Sequence, residues 1–271
     1  MKHNQILDKL ASGALIESLN EEISRLVFSA MAWEKNGGVN NRFEYVYSKL
    51  SVRWNCLINH YDLNSNVIHR FNVALVTILH KYGLEEKSLT KKAIESIKIL
   101  NKEAVLSDSF FHKENEIIKF LSTQPKELTR CPAYIKSNTY YRAGDVISFE
   151  YKGSYVAAYI HADTGVNEAP IIEFYDLVFQ TIPTINELTG VKSYGECFSK
   201  SENPTLKYAV KYAVYGLKYL PDLSRQVQLI ASCINSKPDN SDLEEPISLY
   251  TSSNLADIQR TLENIVSTHK R

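Results

Sequence analysis

The chain has 271 residues, 44% of them hydrophobic and 23% charged, and a formal net charge of zero. That length allows a substantial core and two parts. The even charge argues against a general nucleic-acid-binding surface, and no apolar run approaches the roughly 18 residues of a membrane span.

The opening segment, MKHNQILDKLASGALIESLNEE, starts basic but carries acids within its apolar part. It reads as an amphipathic helix, not a secretory signal, so the expected compartment is the cytoplasm. Apolar residues then recur at spacings of three and four as far as about residue 124. Ile6, Leu7, Leu10, Ala14 and Leu15 begin the pattern, and Ile23, Leu26, Val27, Ala30 and Met31 extend it. Asn36-Gly37-Gly38 interrupts it, because glycine is costly inside a helix. Phe43, Val46, Tyr47, Leu50, Trp54 and Leu57 mark the next helix. Ser65 is placed to cap another, and Gly83 sits where a C-terminal glycine cap belongs. Two more helices are expected near 88–103 and 108–123, and Pro125 ends the series. Short connections make residues 1–125 a helical bundle.

Lys87, Lys91, Lys92, Lys98 and Lys102 fall on one of these helices, with Glu95 and Glu103 among them. This reads as a solvated face. No aromatics for base stacking are interleaved.

Beyond Lys126, proline and glycine become regular and β-branched and aromatic residues cluster. A connection over 125–140 leads into a second part, 140–271. In Val146–Tyr151, Ile147, Phe149 and Tyr151 alternate with Ser148 and Glu150, the period of a half-buried strand. Lys152-Gly153-Ser154 is a turn, Tyr155–Ile160 a second run, Asp163-Thr164-Gly165 a loop and Ile171–Tyr175 a third run. The order is that of a small antiparallel meander or partial barrel. Tyr208–Tyr215 and Arg225–Ile234 are further strand candidates, although the tyrosines of the first also have helical spacing. Pro246 precedes a short strand, Ile247–Tyr250. Asn254 is placed to cap a final helix reaching His269, with Asp257 in its first turn. The fold class is therefore α+β: a helical bundle, a β-rich unit and a C-terminal helix.

Candidate chemistry is sparse. Cys56, Cys131, Cys197 and Cys233 are far apart and form no CxxC pair, so they read as reduced, mostly buried thiols, not as a zinc or redox site. His69 and His80 share a helical face but stand about three turns apart, too far for one metal; His60 could join only from a neighbouring helix. There is no GxSxG elbow, P-loop or dinucleotide fingerprint. No catalytic set, cofactor or metal is expected. The one acid–base arrangement in view is dispersed: His161 at a strand end, with Glu173 and Asp176.

Charge is uneven within the second part. From Asp145 to Lys200 stand eight acids, Asp145, Glu150, Asp163, Glu168, Glu173, Asp176, Glu187 and Glu196, against three bases, Lys152, Lys192 and Lys200. An acidic face steers basic partners and speeds association, and nucleases are such partners because they bind phosphate backbones.

Gly144-Asp145-Val146, Ala157-Ala158 and Tyr175-Asp176 lie in a stretch, GDVISFEYKGSYVAAYIHADTG followed by PIIEFYDLVF, that resembles the core of immunity proteins from bacterial polymorphic-toxin and contact-dependent growth inhibition systems, of the Imm26-like type. The likeness runs over about residues 142–235. It implies a compact β-rich core, no enzymatic activity, and a cognate toxin domain as partner. Glu150, Asp163, Glu173 and Asp176 are the expected contact acids. Tyr155, Tyr159 and Tyr175 are the expected aromatic anchors, tyrosine being well suited to interfaces. The alternative is an enzyme working through Glu173, Asp176 and His161.

Overall fold

The computed structural model describes the chain except residues 36, 59–64, 134–139, 165–168, 198–204, 218–225, 247 and 270–271. His60, Glu168, Lys200, Arg225 and Ile247 thus lie outside the described residues. The chain forms two compact units, Met1–Tyr134 and Ile135–Arg271.

The first unit is helical. Helices α1 (His3–Leu7), α2 (Gly13–Glu34), α3 (Arg42–Arg53), α4 (Asn55–Ile58), α5 (Ser65–Lys81), α6 (Lys87–Lys102), α7 (Asp108–Phe111) and α8 (Glu114–Leu121) follow in order, with a 3₁₀ turn at Asp8–Leu10. Helix α5 is the centre, packing on α1, α2, α4, α6 and α8. Its apolar residues go nearly all round: Phe71, Val73, Ala74, Leu75, Val76, Ile78 and Leu79 are buried. A helix apolar on every side must be enclosed.

Local signals fix the helix ends. Asn41 caps α3 by accepting from Glu44 N, and Glu86 caps α6 by accepting from Leu89 N. Helix α5 ends in a Schellman motif: Leu84 N donates to Leu79 O at 2.9 Å, with Gly83 at φ +75°. That conformation suits glycine. A Cβ on Gly83 would also stand 2.9 Å from Lys126 O. The five lysines of α6 are exposed, as a solvated face requires.

The second unit is a mixed sheet with one long helix. Strands β1 (Val146–Tyr151), β2 (Ser154–Asp163) and β3 (Pro170–Phe174) form the antiparallel meander. Between β1 and β2 the turn is the two residues Lys152 and Gly153, at φ +50° and +75°. Two positive φ values make the primed turn whose twist matches a hairpin. Strands β4 (Gly195–Cys197) and β5 (Lys207–Ala209) make a separate two-stranded sheet. Strands β6 (Tyr212–Tyr215), β7 (Val227–Ala231) and β8 (Thr251–Asn254) join the meander in the order β7-β1-β2-β3-β6-β8.

The sheet is open, ending at β7 and β8, so it is not a closed barrel. Three features of it differ from the sequence-based expectations. It is not wholly antiparallel, because β6 and β8 run parallel. Tyr208–Tyr215 is neither one strand nor a helix; it divides between the two sheets. Ser248–Tyr250 is not a strand, and the strand after Pro246 is Thr251–Asn254.

Helix α9 (Leu255–His269) covers one sheet face. Asn254 Oδ1 accepts from Ala256 N and Asp257 N at 2.8 and 3.0 Å, the expected N-cap. Ile258, Leu262, Ile265 and Val266 pack on Ile147, Phe149, Val156, Ala158, Ile160, Ile172 and Phe174. The opposite face holds Val146, Ala157, Tyr159 and Tyr175 under Leu188 and its neighbours. Both faces are thus covered, and Ser148, on the supposed polar side of β1, is 1% exposed.

Candidate functional site

The pairing of β2 and β3 slips at His161. Ile160 stands opposite Ile172, but Ala162 stands opposite Ile171. His161 is the extra residue, and such a bulge re-aims a side chain. Its Nε2 lies 2.6 Å from Glu173 Oε2. Ser193 Oγ donates to Glu173 Oε1 at 2.7 Å. The Tyr159 ring closes on the imidazole edge-on, with centroids 4.9 Å apart.

Glu173 is 1% exposed and each of its oxygens has a partner. A buried carboxylate needs such pairing to remain charged. The order of groups matters chemically. In a nucleophile–base–acid relay the imidazole stands between hydroxyl and carboxylate. Here the carboxylate stands between imidazole and hydroxyl. Ser193 therefore donates to the carboxylate, and among the described residues no imidazole hydrogen-bonds to its hydroxyl. The arrangement ties β2, β3 and the segment around Ser193 together.

Asp176 does not join this cluster. Alternation on β3 puts Glu173 and Tyr175 on one face, and Asp176 beyond them faces the other way. Its carboxylate is 3.7 Å from His269 Nε2 at the end of α9. The three-residue acid–base arrangement of the sequence reading is thus divided: His161 and Glu173 meet, and Asp176 lies apart.

The expected contact residues separate by burial. Tyr159 and Tyr175 are core residues, 5% and 2% exposed. The Tyr159 hydroxyl donates to Ile234 O at 3.0 Å. Burial, with Tyr159 and Glu173 adding in the same direction, pushes the Tyr175 hydroxyl up to about 12. Neither ring is available as an interface anchor, and Glu173 is not available as a contact acid. The covering of the second sheet face removes all three. Asp145, one of the acids in the charge excess, is buried too and accepts from Arg142 N at 2.8 Å. Asp163 is half-buried; burial raises its carboxyl pKa, Asp145 adds to that and Arg142 opposes it. Glu150 is exposed and stands directly opposite half-buried Tyr155 across β1 and β2.

A cleft of about 590 Å³ opens beside β4 and the end of α9. Asp176, Tyr194, Glu196, Lys207, Asn264 and Ser267 are among its lining residues. Glu196 is held by the Tyr212 hydroxyl, which donates to Oε1 at 2.7 Å. Burial first, and the carboxylate of Glu196 next, raise the pKa of Tyr212, so it remains a donor. Burial likewise pushes Tyr194 up to about 12, helped by Glu196 and Asp176. Both acids therefore act on the same ring. Tyr194, Glu196 and Ser193 carry no sequence motif. The alternation that turns Ser193 and Gly195 inward shows only in the fold.

Among the described residues no group of three or more His, Cys, Asp or Glu side chains is placed to hold a metal. His69 contacts Ser96 Oγ at 3.1 Å, and His80 contacts His3. The cysteines are not mostly buried: Cys56 is half-buried, and Cys131, Cys197 and Cys233 are exposed. None of the described helices is long and apolar enough to cross a membrane. No protein-family model matches the chain, and no curated protein or solved structure matches it significantly.

Proposed function

We propose that this protein is an immunity-type binding protein that neutralises a basic toxin domain, a nuclease being the partner best suited to its acids. The observation that carries the reading is the cleft beside β4. Asp176 and Glu196 both line it, together with one base, Lys207. A guanidinium or ammonium group entering there meets two carboxylates against one ammonium, with hydroxyls and an amide beside them. Exposed Glu150 and half-buried Tyr155 form a second acid–aromatic pair, on the β1–β2 hairpin. Asp163 adds a half-buried acid at the far end of β2.

The acids act mainly on approach, since exposed charges change association rate more than residence time. Inhibition follows if the bound protein covers the toxin's phosphate-binding surface or sets a carboxylate where substrate phosphate sits.

The test is association with the toxin domain encoded beside this gene, followed at low and high salt. Glu150→Lys and Asp176→Lys should each slow association by about tenfold at low salt, and added salt should slow the wild type. Tight binding that neither reversal nor salt affects would remove the acidic residues from the interface. A lack of any binding would remove the reading itself.

A further inference from the structure

His3 and His80 meet in the helical unit. His3 Nε2 lies 2.9 Å from His80 Nδ1. His80 Nε2 lies 2.9 Å from the carbonyl oxygen of Thr123. A carbonyl oxygen only accepts, so His80 carries a proton on Nε2. In the neutral ring Nδ1 is then an acceptor, and His3 donates to it from Nε2. The bonds run from α1 through α5 to the segment after α8.

An added proton has two places to go. On His80 Nδ1 it removes the acceptor and turns two donors towards each other. On His3 Nδ1 it keeps the bond but creates a cation in a poorly solvated place. Burial, then His80, then Lys81 hold the His3 imidazole down to about 4. The surroundings offer little to offset that charge. From α8, Phe120 packs on both rings, with centroids 5.0 Å from His3 and 5.1 Å from His80. From α5 comes Lys81, whose ammonium donates to Asn20 of α2 at 2.8 Å. The carboxylate of Glu116 on α8 lies 4.0 Å from the amino group of Met1 instead. Among the described residues no carboxylate hydrogen-bonds to either ring.

We propose that this pair is an acid-sensitive latch that holds α1 on the helical unit. Helix α1 has five residues and cannot persist on its own. It is kept in place by the histidine bond and by Ile6, Leu7 and Leu10, which are buried beneath it. Neutral His3 favours the docked state. The depressed pKa gives the sign: the stabilisation is present above the unfolded value of 6.5 and is lost as pH falls towards 4. Release of α1 uncovers Ile6, Leu7 and Leu10, an apolar surface that appears only in acid. This proposal does not depend on the toxin-binding reading.

Methyl NMR of the full chain from about pH 7.5 to 4 tests it. The Ile6 and Leu10 methyls should move together towards their exposed shifts, with a midpoint between 4 and 6.5, while the Ile97 methyl in α6 stays fixed. His3→Phe keeps a ring against Phe120 and cannot titrate, so it should abolish the midpoint. His80→Gln can still accept from His3 and donate to Thr123 but takes away the second ring's lowering effect, so the midpoint should move up towards 6.5 without vanishing. Ile6 and Leu10 methyls that stay fixed in the wild type, or that still titrate in His3→Phe, would overturn the latch. So would Ile97 moving with them, because the change would then be general unfolding.

Discussion

The indole N–H of Trp54 donates to one carboxylate oxygen of Glu22 at 2.6 Å, and Arg53 Nε stands 3.6 Å from the other. Glu22 and Arg53 are both buried, at 4% and 5% exposure. Glu22→Ala removes the acceptor of the Trp54 indole and one partner of Arg53, and breaking a buried ion pair costs up to about 3–5 kcal/mol. Glu22→Ala should therefore lower the stability of the helical unit by about that amount. Urea unfolding followed by tryptophan fluorescence measures it, since both tryptophans, Trp33 and Trp54, belong to this unit. A loss under about 1 kcal/mol would mean that Arg53 finds water or another acceptor on relaxation.

The buried position of Glu173 makes a different demand. Glu173→Ala strands the donors of His161 and Ser193 and should destabilise the second unit by about 2–4 kcal/mol. Ser193→Ala, which removes one neutral donor, should cost only about 1 kcal/mol. Far-UV circular dichroism during urea unfolding separates the two. Equal stability of Glu173→Ala and wild type would return Glu173 to the list of surface acids.

Alkaline pH gives a further check. The hydroxyls of Tyr175 and Tyr194 ionise at about 12 in the folded chain, against an ordinary value of 10. The unfolded chain releases these protons first. Stability from the two groups is thus complete below pH 10 and is lost as pH rises towards 12. A tyrosinate absorbance titration should show part of the 17 tyrosines lagging until the second unit unfolds. Tyr175→Phe and Tyr194→Phe should each shrink that lag. A single normal titration step would show that neither hydroxyl is shielded.

Much of the fold is legible in the sequence because helices announce themselves locally. The spacing of three and four marks α2, α3 and α5, Gly83 marks the end of α5, and Asn254 marks the start of α9. The β1–β2 hairpin is equally local. What fails is long-range. Strand β8 reads Thr-Ser-Ser-Asn and has no apolar signal, and its partner β6 lies far back in the chain. Tyr208–Tyr215 looks continuous because nothing in it says that its two halves pair with different sheets. The site suffers from the same blindness. Alternation correctly puts Glu173 with Tyr175 and against Phe174, but it cannot say what covers that face. A count of acids cannot tell Glu150, in solvent, from Asp145 and Glu173, which are enclosed.

The strand order bears on how a nascent chain matures. Strands β1, β2 and β3 leave the ribosome well before α9, which seals their apolar underside, and before β8, which covers the β6 edge. Contacts over so long a sequence separation close slowly. The half-made sheet must therefore wait with Ile147, Phe149, Ile172 and Phe174 uncovered, a period in which aggregation competes with completion. A chaperone that binds extended apolar strands would act on the second unit and leave the helical unit, built from nearer neighbours, to fold unaided.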